Sequence, residues 1–154
     1  MTGVLSGALD EEALQGWGRR IGREARTPLV LCLRGDLGAG KSTLARAIAH
    51  GAGVEGDVPS PTFNLVFRYD TPRARVWHLD LYRLERDDEV WELGWGDLGG
   101  DGDLVMIEWP ERAEALLPPV RWEIELLEHE PDSREVTASP VGEPPPLPPM
   151  REAA

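Results

Sequence analysis

The chain nearly lacks lysine: fifteen of its 16 basic residues are arginine, and Lys41 is the exception. Keeping one ammonium in an otherwise arginine-only set points to a position that needs a compact, flexible cation. Cysteine is equally scarce. Cys32 alone cannot close an internal disulfide, and structural metal sites normally take more than one thiolate, so disulfide scaffolds and zinc modules are excluded. No apolar run exceeds Leu29 to Leu33, far short of a membrane span. The start, Met1-Thr-Gly-Val-Leu, has no basic stretch, so no secretory signal is expected. A cytoplasmic, reducing setting fits these absences. A basic excess is missing too: 16 basic against 28 acidic residues give a formal net charge of -12. Strong direct binding to nucleic acid is not expected of such a chain.

What is present fits one domain, since 154 residues are too few for two independent cores. Residues 10 to 26 read as an amphipathic helix capped by Asp10, with Glu11 and Glu12 early and Arg19, Arg20, Arg23 and Arg26 late, the charge order that suits the helix dipole. Leu14, Trp17, Ile21 and Ala25 supply its apolar stripe. Leu29 to Leu33 follows as a fully buried strand. Then come a glycine-rich turn, Gly35 to Gly40, and a helix over 42–51. The alternating segment from Thr62 to Tyr69 and the strand from Arg75 to Asp80 predict a hairpin. Residues 85 to 103 carry seven acidic side chains after Arg86 and no basic one, with a short helix around Asp88 to Leu93. Leu104 to Ile107 is another buried strand, Glu111 to Leu117 a short helix, and Arg121 to Glu128 with Arg134 to Ala138 a final antiparallel pair. Six prolines fall in the 16 residues after Ala138, so a domain over 1–138 and a disordered Pro-rich tail over 139–154 are expected.

The glycine turn carries the most specific chemistry. Gly35-Asp-Leu-Gly-Ala-Gly-Lys-Ser42 matches the phosphate-binding pattern GxxxxGK[ST] at every fixed position, between a strand and a helix. Glycines let successive backbone N–H groups converge on phosphate oxygens, and the helix start adds its positive end. In that pattern the lysine reaches the β- and γ-phosphates, and the hydroxyl after it ligates magnesium. Glu108 ends a buried strand, where a carboxylate serves such a site or is merely a solvated strand-end acid. Asp80 ends the hairpin strand beside His78 and Arg83, so a catalytic carboxylate and a salt bridge to Arg83 are both open. Thr62, after the Ser60-Pro61 turn, fits a nucleotide-sensing loop or a simple cap. Trp109 fits the core or a cover over the nucleotide. His50 and His129 read as surface residues.

Gly35-Asp-Leu-Gly-Ala-Gly-Lys-Ser-Thr43, Ser60-Pro-Thr-Phe63, His78-Leu-Asp-Leu-Tyr-Arg-Leu84, Glu92-Leu-Gly94 and Ile107-Glu-Trp-Pro-Glu111 together resemble the bacterial TsaE (YjeE) family, in order and spacing, over roughly residues 10 to 138. The resemblance implies an α/β fold, a three-layer P-loop NTPase-type sandwich with a small mixed β-sheet. It also implies a magnesium-dependent ATPase that assists TsaB and TsaD in forming the threonylcarbamoyl group on adenosine next to the tRNA anticodon. The transfer belongs to TsaD, and tRNA is met only through the complex. Carried over residue by residue, Gly38, Ala39, Gly40, Lys41, Ser42 and Thr43 hold the ATP phosphates, Asp36 and Leu37 also belong to the ATP-binding set, and Ser42 and Glu108 hold Mg²⁺. Lys41, Asp80 and Glu108 carry catalysis, Thr62 belongs with Asp80 to the switch region, and Trp109 lies beside the nucleotide. Arg134 matches a late basic position near it more loosely. Two departures stand out: Ser42 replaces the usual threonine but keeps the hydroxyl, and a threonine of the first helix is replaced around Ala13 and Leu14.

Three other readings are open to the sequence. A small-metabolite kinase usually carries an arginine-rich lid, yet residues 85–103 are acidic; a GTPase needs an NKxD-type segment, which is missing. A nucleotide-dependent binding module with incidental hydrolysis is left open by the sequence.

Overall fold

In the computed structural model, residues 3–36, 38–58, 65–129 and 131–151 are described. In chain order the strands are β1 (Leu5–Asp10), β2 (Leu29–Arg34), β3 (Val66–Asp70), β4 (Arg75–Asp80), β5 (Asp103–Glu108), β6 (Arg121–Glu128) and β7 (Ser133–Val141). The two α-helices are α1 (Glu11–Glu24) and α2 (Lys41–Gly51). The strands form one mixed sheet in the order β1-β7-β6-β2-β5-β4-β3. Its centre is parallel, with β2 between β5 and β6 and β4 beyond β5. Antiparallel pairs close both edges, β3–β4 on one side and β6–β7–β1 on the other. The α/β expectation and the hairpin hold, but the sheet is larger than the small one expected. The short helices expected near residues 88 and 111 are 3₁₀ segments, Asp87–Leu93 and Pro110–Leu116.

Both faces of β2 are buried, which explains its unbroken apolar run. Leu29, Leu31 and Leu33 join the core under α1 and α2, while Val30 and Cys32 join a second core under the 3₁₀ segments. Burial pushes the Cys32 thiol far up, so it behaves as an apolar side chain. Asp10 accepts the Ala13 N–H at 2.7 Å and caps α1, as its sequence suggests. The helices approach backbone to backbone: a Cβ on Gly22 would lie 2.0 Å from the Ile48 carbonyl oxygen. Only glycine permits that crossing. Among the described residues no helix is long and apolar enough to cross a membrane.

The expectation of a disordered tail after Ala138 is wrong. β7 runs on to Val141, and the following proline-rich stretch lies against α1 and the sheet. Leu147 and Met150 are buried in the larger core. The Trp17 Nε1–H donates to the Pro148 carbonyl at 2.9 Å, and the Trp122 Nε1–H to that of Pro145 at 2.8 Å. Arg20 donates to the carbonyls of Pro149 and Met150 at 2.5 and 2.9 Å. Proline has no N–H but keeps its carbonyl, so the stretch cannot extend the sheet, yet it can accept from indole and guanidinium donors.

Truncation after Val141 would remove the buried Leu147 and Met150 side chains, whose burial is worth about 3 kcal/mol or more, and orphan two indole donors. We expect the melting temperature to fall by roughly 6–12 °C. Melting within about 2 °C of the full chain would show that the packed stretch contributes no stability.

Candidate active site

Parallel pairing brings three strand ends to one place. Leu33 of β2 lies opposite Glu108 of β5, and Asp80 of β4 lies opposite the same Glu108. Side chains alternate along each strand, so Val76, His78 and Asp80 share the α-helical face of β4, as Leu104, Met106 and Glu108 do on β5. The loop after β2 returns over these ends and leads into α2. Gly40 has φ 104 and offers the helix start no capping side chain. A Cβ there would press to 3.2 Å from Leu14. The first-turn amides of α2 therefore open towards the cavity beside the loop.

Lys41 is 4% exposed. Its ammonium donates to the Gly35 carbonyl and lies 3.3 Å from the centroid of the Trp109 ring. Burial lowers its pKa, opposed by the charges of Glu108, Glu111, Asp80 and Asp36. Ser42 Oγ–H donates to Glu108 Oε1 at 3.1 Å. The other oxygen of Glu108 faces His78 Nε2 at 2.5 Å, and both residues are buried. Trp109 holds a left-handed backbone, φ 58 and ψ 49, which costs an L-residue roughly 1–2 kcal/mol. It packs on the second core and meets Tyr82 at 4.9 Å between ring centroids. Trp109 is thus a core residue and a cover for Lys41 at once.

Asp80 is half-buried, and its carboxylate accepts the Tyr82 N–H at 3.0 Å. Burial raises its pKa, the Tyr82 bond lowers it and the nearby Glu108 raises it further. Arg134 comes from β7 and braces the loop: Nε donates to the Ala39 carbonyl at 2.9 Å and Nη2 to that of Gly38 at 3.2 Å. Gly38, Gly40, Lys41, Ser42, Thr43, Asp80, Glu108, Trp109 and Arg134 line one open cavity of about 1060 Å³. Asp36 and Ala39 do not line it; the Ala39 side chain is buried in the core. Leu37 and Thr62 lie outside the described residues. Leu14, near the first-helix position the resemblance marks, lines the cavity too, whereas sequence reading missed Glu11, Glu12 and Gln15 of α1, Arg46 of α2, His129 and Asp132 as lining residues. It missed His78 as part of the site as well, although the spacing His-x-Asp on a strand places both side chains on one face.

Among the described residues no group of three or more His, Cys, Asp or Glu side chains could hold a metal. A dedicated metal cage is therefore not built here. One carboxylate oxygen beside one hydroxyl is the hard, sparse donor set that suits Mg²⁺ carried by phosphates, since this ion keeps most of its ligands from water and substrate.

A family model described as "Threonylcarbamoyl adenosine biosynthesis protein TsaE" matches residues 8–136. The chain belongs to the TsaE family. TsaE of Rickettsia prowazekii (strain Madrid E) is 41% identical over 98 residues, covering 63% of this chain and 67% of that protein. TsaE of Bacillus subtilis (strain 168) is 37% identical over 113 residues, covering 73% of this chain and 70% of that one. Both relatives carry the name tRNA threonylcarbamoyladenosine biosynthesis protein TsaE. Among solved structures, Bacillus subtilis YdiB superposes with a TM-score of 0.73 at 29% identity, over 92% of this chain and 88% of that chain. The TsaE match ends at residue 136, so the proline-rich stretch packed on Trp17 and Trp122 lies beyond it.

The bracing by Arg134 has a direct readout. Arg134→Ala removes two charge-assisted bonds to the loop, and we expect amide exchange at Ala39 to quicken about tenfold. Unchanged exchange would mean that the loop holds its shape without Arg134.

Proposed function

We propose that this TsaE-family chain is a P-loop ATPase that binds Mg-ATP over the Gly35–Gly40 loop and serves tRNA threonylcarbamoyladenosine biosynthesis. In this reading it assists a TsaB–TsaD pair in forming the threonylcarbamoyl group on adenosine next to the anticodon. The observation that carries it is the convergence of Lys41, Ser42 and Glu108 at the mouth of the loop, with Ser42 and Glu108 in mutual hydrogen-bond contact. The phosphates sit against the α2 start and the loop amides, which supply partial positive charge without a mobile counterion. Lys41 leaves the Gly35 carbonyl and the Trp109 ring for the phosphates, an exchange that a flexible ammonium makes and a rigid guanidinium does not. Ser42 and Glu108 hold the magnesium, which neutralises charge developing on the transferring phosphoryl group.

Asp80 has a separate task. Phosphate and metal neutralisation is already provided for, and a second carboxylate near Glu108 adds negative charge beside an anionic nucleotide. It is useful there for orienting the attacking water or accepting its proton. The acidic surface, net charge -12, suits a chain that reaches tRNA only through protein partners in the cytoplasm.

Titration calorimetry and turnover assays test this together. Lys41→Ala should weaken ATP binding at least about tenfold, the worth of one charge-assisted contact. A folded variant with unchanged affinity would remove the loop from the nucleotide site. Asp80→Ala should bind Mg-ATP about as tightly as the parent, while hydrolysis with TsaB–TsaD drops about 10²-fold or more. Normal turnover per folded molecule in a less stable protein would leave Asp80 a purely structural carboxylate.

A further inference from the structure

Resting on the reading just given, we infer that His78 is a positioning residue that fixes which way the Glu108 carboxylate faces, and thereby sets the affinity for nucleotide-borne magnesium. His78 has no accessible surface and is not among the residues that line the cavity. Its Nε2 lies 2.5 Å from Glu108 Oε2, and its Nδ1 has no hydrogen-bond partner among the described residues. A carboxylate only accepts, so the ring proton facing Glu108 sits on Nε2. That contact occupies Oε2 on the buried side and leaves Oε1 turned to the Ser42 hydroxyl, 3.1 Å away, at the edge of the cavity.

The alternative orientation is close at hand. Lys41 is a cation near enough to Glu108 for their charges to interact, and it must remain available to phosphate. A carboxylate free to turn about its side chain would close onto that ammonium and disable two groups at once. His78 opposes this from the same face of the sheet, held by its place in β4 beside β5. Groups that orient a metal-binding carboxylate in this way typically change metal affinity 10- to 100-fold when lost.

Glutamine and asparagine separate positioning from packing. The Gln amide nitrogen takes the place of Nε2, whereas that of Asn takes the place of Nδ1 and falls short of Glu108. ATP affinity is measured by calorimetry in EDTA and in excess magnesium for the parent, His78→Gln and His78→Asn, with thermal melts on each. The expected result is that His78→Gln keeps the magnesium-dependent gain within about threefold of the parent, while His78→Asn loses about tenfold of it or all of it. Affinity in EDTA should stay within about twofold for both. Equal losses in the two variants, or a loss as large in EDTA as in magnesium, would overturn the positioning role. If His78→Asn does not fold, a folded His78→Gln lacking the gain overturns it alone, and one retaining the gain supports it. A parent chain whose ATP affinity ignores magnesium overturns the functional reading first, and this inference with it.

Discussion

Register between β2, β5 and β4 is the constraint on which the site depends. Leu33, Glu108 and Asp80 stand in one row across three parallel strands. Because side chains alternate, a one-residue slip of β5 would turn Glu108 into the second core and bring Ile107 towards Ser42. The apolar pattern forbids it. Leu104 and Met106 fill the core under the helices, while Val105 and Ile107 fill the other. A slip would exchange the two sets and bury a carboxylate among Leu79, Trp95 and Val90, at a cost no nearby cation offsets. Hydrophobic packing along β5 therefore aims the one carboxylate that shares a hydrogen bond with Ser42.

The second constraint is electrostatic. In the proposed reading, a chain with net charge -12 has to attract a polyanion to this cavity. Among the described residues the cavity is lined by few permanent cations: Lys41, held almost out of water, Arg46, and Arg134, whose guanidinium donates to the carbonyls of Gly38 and Ala39. Those two bonds remove carbonyl charge from the loop interior, where a phosphate would meet it. Backbone amides at the α2 start add fixed partial charges that carry no acidic partner. On the proposed function, Glu108 and Asp80 would then limit what binds, since a bare anion would be repelled by both and one accompanied by a divalent cation would not.

Much of this was legible in the sequence because the central elements repeat a simple pattern. The apolar strand Leu29 to Leu33, the glycine loop and the following helix were placed nearly to the residue, as were the second hairpin strand and the end of β5 at Glu108, whereas the first hairpin strand begins at Val66 rather than Thr62. The losses have physical causes. β1, with Ser6, Gly7 and Ala8, has little β-propensity of its own and owes its conformation to the ladder with β7. The packed proline stretch fails every test for autonomous structure, because its partners are Trp17, Arg20 and Trp122, more than twenty positions away in each case. His78 hid for a related reason: its significance comes from Glu108 on another strand, thirty residues later.

The distant pairings also reach the cavity. Part of its lining comes from the start of α1, from Glu11, Glu12, Leu14 and Gln15. That helix begins directly after β1, and Asp10 ends the strand and caps the helix at once. Its position is fixed at three points: β1 through β7, the Gly22 crossing with α2, and Trp17 and Arg20 through the proline stretch. α2 is also the helix whose start carries Lys41 and Ser42. The two walls of the cavity are thus tied to each other behind the site, where glycine lets backbones touch and no side chain can yield. Close packing of this kind transmits displacement rather than absorbing it. The carboxyl-terminal stretch thus anchors α1, the helix whose first residues line the cavity, through Trp17 and Arg20.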